Sequence, residues 1–216
     1  ATIVVGEYDL LDVEHDDTSP VIRNFLYSDE KTNEDTRSLF NKVYKMMTFF
    51  ENTLGEYPFD SYGHVAITEP GLGMETQSMT MISTDFIYGD LRPYGESVLA
   101  HEIAHQWFGN SVTPKYWTDI WLNESFATYS EALWAEHSAG DIGFQSSISR
   151  SYASIKAWDR NLHKSGKSGS ILNPTYLFSS NVYHKGSWVL HMLRSAMGNQ
   201  QFTKALKAYI KKYSYG

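Results

Sequence analysis

The sequence predicts an α+β fold, with a small mixed sheet in the N-terminal third followed by a mainly helical part. Three observations carry this reading. Short runs rich in β-branched and aromatic residues cluster in the first third. From Gly95 onward apolar residues recur with the 3.6-residue period of a helix. Hydrophobic residues make up 42% of the chain and aromatic residues 15%, which excludes disorder and supplies a substantial core.

The expected strands are Thr2–Val5, Val21–Tyr27, His64–Thr68 and Ser78–Ser83. Between the second and third lies a helix from about Glu34 to Leu54, with Leu39, Phe40, Val43, Tyr44, Met47 and Phe50 on its apolar stripe. Gly55 ends it and Pro58 prevents continuation. Met46, Met47, Phe49 and Phe50 read as a core face rather than a cofactor surface. Further helices are expected over about 95–108, 119–139, 141–162, 182–196 and 199–213. His163–Ser170 reads as a Gly/Ser/Lys loop; its Gly166-Lys167-Ser168 lacks the phosphate loop's upstream glycine, since residue 161 is Asn161.

At 216 residues and 24.7 kDa the chain can form one large or two small domains. Its net charge of −7 argues against nucleic acid as a partner, because phosphate contacts need a basic footprint. With no cysteine, any metal must be held by nitrogen and oxygen ligands. No run of eighteen apolar residues is present, so no transmembrane segment is expected. No signal peptide is visible, yet Ala1-Thr2-Ile3-Val4-Val5 reads like a strand cut mid-protein. The compartment is therefore left open between cytoplasmic and secreted or periplasmic.

The chemistry concentrates in one constellation: His101-Glu102-Ile103-Ala104-His105, then eighteen residues, then Glu124. Helix positions i and i+4 share a face, so His101 and His105 can aim two imidazoles at one point. Glu102 lies about 100° round the helix and can flank that point without ligating it. The pentapeptide alone would also suit an ordinary amphipathic helix with two satisfied histidines. The carboxylate of Glu124, on a second helical stretch that Pro114 allows to fold back, completes a three-ligand zinc site with an open fourth position. Such a site lowers the pKa of a bound water to about 7, and a nearby carboxylate can take its proton. One Zn2+ per chain is expected.

These residues resemble the M1 family of zinc aminopeptidases, gluzincins with a thermolysin-like catalytic domain. Gly55-Glu56-Tyr57-Pro58-Phe59 is similar to the family's lead into its catalytic sheet. Gly73-Met74-Glu75 resembles its Gly-x-Met-Glu-Asn exopeptidase motif. His101 to Asn110 and Trp117 to Ala127 resemble its zinc helices, and Tyr183-His184-Lys185-Gly186 its Tyr-x-Lys-Gly segment. The resemblance covers the chain from about residue 20 to the end. It implies a zinc aminopeptidase with His101, His105 and Glu124 as metal ligands and Glu102 as general base. It further implies Tyr183 as donor to the oxyanion, Glu75 as the grip on the substrate's free α-ammonium, and Gly73 and Met74 beside the substrate backbone. Peptides with a free N-terminus are the implied substrates. Residues 1–20 are expected to be the tail of a preceding β domain or a linker, and 21–216 the thermolysin-like domain of a larger enzyme. Flanking domains are then partners: a β-saddle before Ala1 and a helical domain after Gly216.

The chain departs from the family pattern at Leu72, where a glycine is usual, and at Thr76, where an asparagine is usual. Some relatives carry a second tyrosine five residues before the catalytic one; here it is Phe178, which gives no support to epoxide hydrolysis. A thermolysin-like endopeptidase shares the zinc constellation but needs no anchor such as Glu75. A non-catalytic scaffold on the same fold would have lost metal ligands that are all present here. Asp119 is a candidate second-sphere partner for a zinc histidine. His64, His137, His163 and His191 read as structural or exposed, and Trp107, Trp117, Trp121 and Trp134 as core. Lys204, Lys207, Lys211 and Lys212 read as a solvated stripe.

Overall fold

Helix α1 (Glu34–Leu54) forms with the bounds its periodicity predicts, and its apolar stripe is the centre of the first core. Leu39, Phe40, Val43, Met46, Met47 and Phe50 are all fully buried. Each such side chain contributes about 1.5–3 kcal/mol relative to exposure. The computed structural model describes residues 3–11, 20–28, 34–165 and 169–216. The chain divides into two compact units, Ala1–Gln106 and Trp107–Gly216.

The first unit holds a five-stranded mixed sheet in the order β1-β2-β3-β5-β4. Its strands are β1 (Tyr8–Leu11), β2 (Val21–Tyr27), β3 (Ser61–Ile67), β4 (Gly73–Met74) and β5 (Thr80–Ser83). The central pairs β2–β3 and β3–β5 are parallel, and the outer pairs β1–β2 and β4–β5 are antiparallel. The expected strand over Thr2–Val5 is displaced: the described Ile3–Val5 is not a strand, and pairing begins at Tyr8. There Tyr8 stacks on Tyr27 at 5.0 Å and Leu11 becomes buried, contacts that β-branched Ile3–Val5 does not make in the sheet. The strand expected from Ser78 starts only at Thr80, because Ser78 takes a left-handed φ of 63°. Two short helices follow the sheet, α2 (Thr84–Ile87) and α3 (Gly95–Ala104). The expected helix 95–108 thus stops four residues early, where Gln106 N–H tightens onto the Ile103 carbonyl at 3.0 Å.

One sheet face carries a buried polar ladder. Parallel register sets Asn24 beside His64 and His64 beside Thr80. His64 Nδ1 lies 2.7 Å from Asn24 Oδ1, and its Nε2 lies 3.3 Å from the Tyr62 hydroxyl, which is 2.9 Å from Thr80 Oγ1. Phe40 of α1 packs edge-on against the His64 ring at 5.4 Å.

The second unit is helical. Helix α4 (Trp121–Ser165) is broken at Gly140 (φ 63°, ψ −157°), which separates the two helices expected over 119–139 and 141–162. Helices α5 (Gly186–Met197) and α6 (Asn199–Tyr213) complete it. Arg194 of α5 grips Glu136 of α4 through two bonds of 2.7 and 3.0 Å. On α6, Phe202, Leu206 and Ile210 are buried while the lysine stripe is exposed, as expected. Trp107 and Trp134 are core residues, but Trp117 is 68% exposed on a short 3-10 turn (Trp117–Asp119), against expectation. Gly166-Lys167-Ser168 lies outside the described residues. No described helix is long and apolar enough to cross a membrane.

Burial lowers the His64 pKa from 6.5 to about 3. Its neutral form is favoured in the fold, so its contribution is present above pH 6.5 and declines as pH falls towards about 3, where the unfolded chain binds the extra proton. We predict that acidification from pH 6.5 to about 5 costs about 1.5–2 kcal/mol through this group. Denaturant titrations across that interval test this. The His64→Gln chain should be less stable at neutral pH but show a shallower pH dependence, and an unchanged slope would refute the assignment.

Candidate active site

The two histidines occupy the last turn of α3. His101 lies inside the helix and His105 caps it, with φ −60° and ψ −22°. The His105 N–H still reaches the His101 carbonyl at 3.2 Å, so the i,i+4 relation survives although the helix ends at Ala104. Their rings meet edge to face with centroids 4.7 Å apart. Glu102 is 5% exposed.

Strand β4 and the turn after it bring the exopeptidase-like segment to the same place. A Cβ added to Gly73 would lie 2.2 Å from Glu102 Oε1, so only glycine lets the strand sit directly on that carboxylate. Met74 follows, exposed and paired to Met81. Glu75 leaves the strand in a tight turn, with Thr76 N–H on the Met74 carbonyl at 2.9 Å. Potential ligand atoms of Glu75, Glu102 and His105 all lie within 4.8 Å of one another.

In the second unit, Glu124 is buried in the first turn of α4. Asp119 lies on the preceding 3-10 turn, its N–H on the Tyr116 carbonyl at 2.9 Å. Tyr183 occupies a π-helical turn, Asn181–Lys185, that runs into α5. Wide turns of this kind recur at functional sites. Ser125, next to Glu124, donates its hydroxyl to the carbonyl of Val182, next to Tyr183. Gly186 makes this docking feasible, since an added Cβ would come within 1.8 Å of Ser125 Oγ. Phe178 is 62% exposed, 6.5 Å from the Trp117 ring.

Sequence reasoning missed Gln106. It is fully buried, accepts the Ser78 N–H at 2.9 Å and reaches the Glu75 carbonyl at 3.5 Å. Its only signal was position, immediately after His105. The buried ladder of Asn24, His64, Tyr62 and Thr80 was also unforeseen, because its members meet only through strand register.

The donors fit zinc: imidazoles at helical spacing, carboxylates nearby, and no thiolate in the chain. Residues 38–216 match the Peptidase family M1 domain. The chain belongs to this family. It is 31% identical over 183 residues to endoplasmic reticulum aminopeptidase 2 of Bos taurus, covering 79% of this chain and 19% of that protein. It is 33% identical over 191 residues to aminopeptidase N of Lactococcus lactis subsp. lactis, covering 79% and 22%. An M1 zinc metallopeptidase from Deinococcus radiodurans superposes with a TM-score of 0.74 at 28% identity, covering 97% of this chain and 45% of that one. The fold is thus the thermolysin-like fold of the M1 zinc peptidases. The chain spans about a fifth of the length of these curated relatives.

The contact at Gly73 yields a prediction. In Gly73→Ala the new methyl meets the flexible end of Glu102 rather than backbone, so Glu102 swings aside at little cost to folding. We expect a stability change under about 1 kcal/mol and a loss of peptide turnover of about 10²-fold. Thermal unfolding and steady-state kinetics measure the two; normal turnover would show that Glu102 does not work from its present position.

Proposed function

We propose that the chain carries the catalytic machinery of a zinc aminopeptidase, removing N-terminal residues from peptides. The observation that carries this is the cluster of Glu75 and Glu102 with His105. Two carboxylates within 4.8 Å of each other repel when both carry charge, and a cation beside them reverses that sign. A substrate α-ammonium is such a cation. Membership of the M1 family and the aminopeptidase names of its curated relatives support the same reading.

In this reading the imidazoles of His101 and His105 and the carboxylate of Glu124 hold one zinc. The bound metal supplies a Lewis acid for the scissile carbonyl and acidifies water to a pKa of about 7. Glu102 takes the proton of the attacking water and returns it to the departing amine nitrogen. Its seat against Gly73 fixes the carboxylate for both transfers. Tyr183 donates its phenolic hydrogen to the developing oxyanion, a contribution of about 10²–10³ in rate. Glu75 pairs with the α-ammonium and so sets where along a peptide the cut falls. Gly73 and Met74 run beside the substrate backbone. Residues 21–216 then form the catalytic part of a longer enzyme whose flanking domains complete the substrate site.

The roles separate experimentally. Glu102→Gln should retain about one zinc per chain yet lose about 10³-fold or more in turnover, because the base goes and the ligands stay. His101→Ala should lose both. Elemental analysis and kinetics on the intact protein decide it. Equal zinc in His101→Ala and the unaltered protein, or near-normal turnover in Glu102→Gln, would overturn the assignment.

A further inference from the structure

Gln106 sits immediately after the second histidine, fully buried, with its amide facing the loop that carries Glu75. Its carbonyl oxygen accepts the Ser78 N–H at 2.9 Å, and its amide nitrogen points to the Glu75 carbonyl at 3.5 Å. The loop between these points needs such a clamp. Ser78 holds a φ of 63°, an unfavourable conformation for a residue with a side chain. The turn closes through Met79 N–H on the Thr76 carbonyl at 3.0 Å, with the Thr76 hydroxyl on the Met79 carbonyl. The Ser78 side chain also meets the Tyr57 hydroxyl. Along the chain, Glu75 joins the sheet through the two-residue strand β4, paired by Gly73 to Ile82 and Met74 to Met81. Two pairs are a weak constraint on a side chain that must meet an ammonium within a few tenths of an ångström.

We propose that Gln106 is a positioning residue for substrate selection: it locks the Glu75 loop to the turn that carries His105, so that the amine anchor and the metal-binding helix hold one spacing. The proposal rests on the aminopeptidase reading, with Glu75 as that anchor. Gln106 bonds to backbone at both ends of the loop, so it acts through Glu75 rather than on the substrate. A glutamine suits this task because one planar amide offers an acceptor to Ser78 and a donor to Glu75 at once. Replacing it by an apolar residue would take the acceptor from the half-buried Ser78 N–H, and Ser78 would relax out of its left-handed conformation.

The test compares a free-amine aminoacyl substrate with its N-acetylated counterpart on the intact protein, together with zinc content. In Gln106→Leu, zinc should stay at about one per chain. KM for the free-amine substrate should rise, and the preference for the free amine should shrink by about tenfold to a hundredfold, the scale of displacing a positioned group by about an ångström. Gln106→Glu keeps an acceptor for Ser78 and loses the donor to Glu75, so its free-amine preference should fall between parent and Leu variant even though the buried carboxylate lowers its stability. A free-amine preference unchanged in both variants would overturn the proposal. So would a loss confined to kcat with KM and the preference intact, because that marks an interaction made only in the transition state rather than at the amine anchor. Equal cleavage of both substrates by the unaltered protein would instead remove the aminopeptidase reading on which the proposal stands.

Discussion

The contact on which the site depends is the seat of Glu102 against Gly73. A strand backbone and a helix carboxylate approach until no side chain fits between them. The consequences run in both directions along the chain. Strand β4 is only two residues long, yet it must end at helix α3 so that Glu75 emerges beside His105. It can do so because β5 carries it at the sheet edge, and β5 in turn is bound in parallel to β3 at the centre. From the helix side, Gly95 at the start of α3 approaches the Phe86 carbonyl so closely that a Cβ there would lie 2.3 Å away. The Lys42–Glu96 ion pair links α1 to α3, although partly exposed pairs of this sort contribute little. Burial of the α1 stripe does more to hold the first unit together.

The sheet interior adds a second constraint. A neutral histidine, an amide, a phenol and a threonine hydroxyl occupy three adjacent strands under α1, where apolar residues would cost less to bury. Their bonds link one to the next, and each partner lies a fixed register step from its neighbour. Such a ladder specifies strand pairing, since a one-residue slip of any of the three strands would turn its own members to the other face and break the bonds. The second unit has a matching arrangement of its own. Ser125 and Gly186 dock the π-helical turn of Tyr183 onto the first turns of α4, so the residues flanking Glu124 and Tyr183 are bonded to each other.

Much of this was legible in the sequence, and the legible part is local. Helix α1 could be read to the residue because its stripe, its glycine stop and its following proline all act within a few positions. His101, Glu102 and His105 could be singled out as candidates because i,i+4 spacing is a property of one helix turn. The illegible part depends on distant partners. Gln106 looks like any polar helix residue until Ser78 and Glu75, 28 and 31 positions away, are seen against it. Gly73 could be singled out only by family resemblance, because its reason is the Glu102 carboxylate. The first strand was misplaced because Ile3–Val5 has strand composition, whereas Tyr8 has the stacking partner. The early end of α3 was missed because its last turn tightens into an i,i+3 bond that no side chain announces.

The central claim is that two carboxylates at one metal site confine hydrolysis to the first peptide bond. The most direct measurement is a time course, by mass spectrometry, of an unblocked peptide of about ten residues incubated with the intact zinc-loaded protein. The account predicts a ladder in which the substrate shortens one residue at a time from its N-terminus, with free amino acids as the released products. Early internal fragments that keep the original N-terminus would contradict it and identify an endopeptidase.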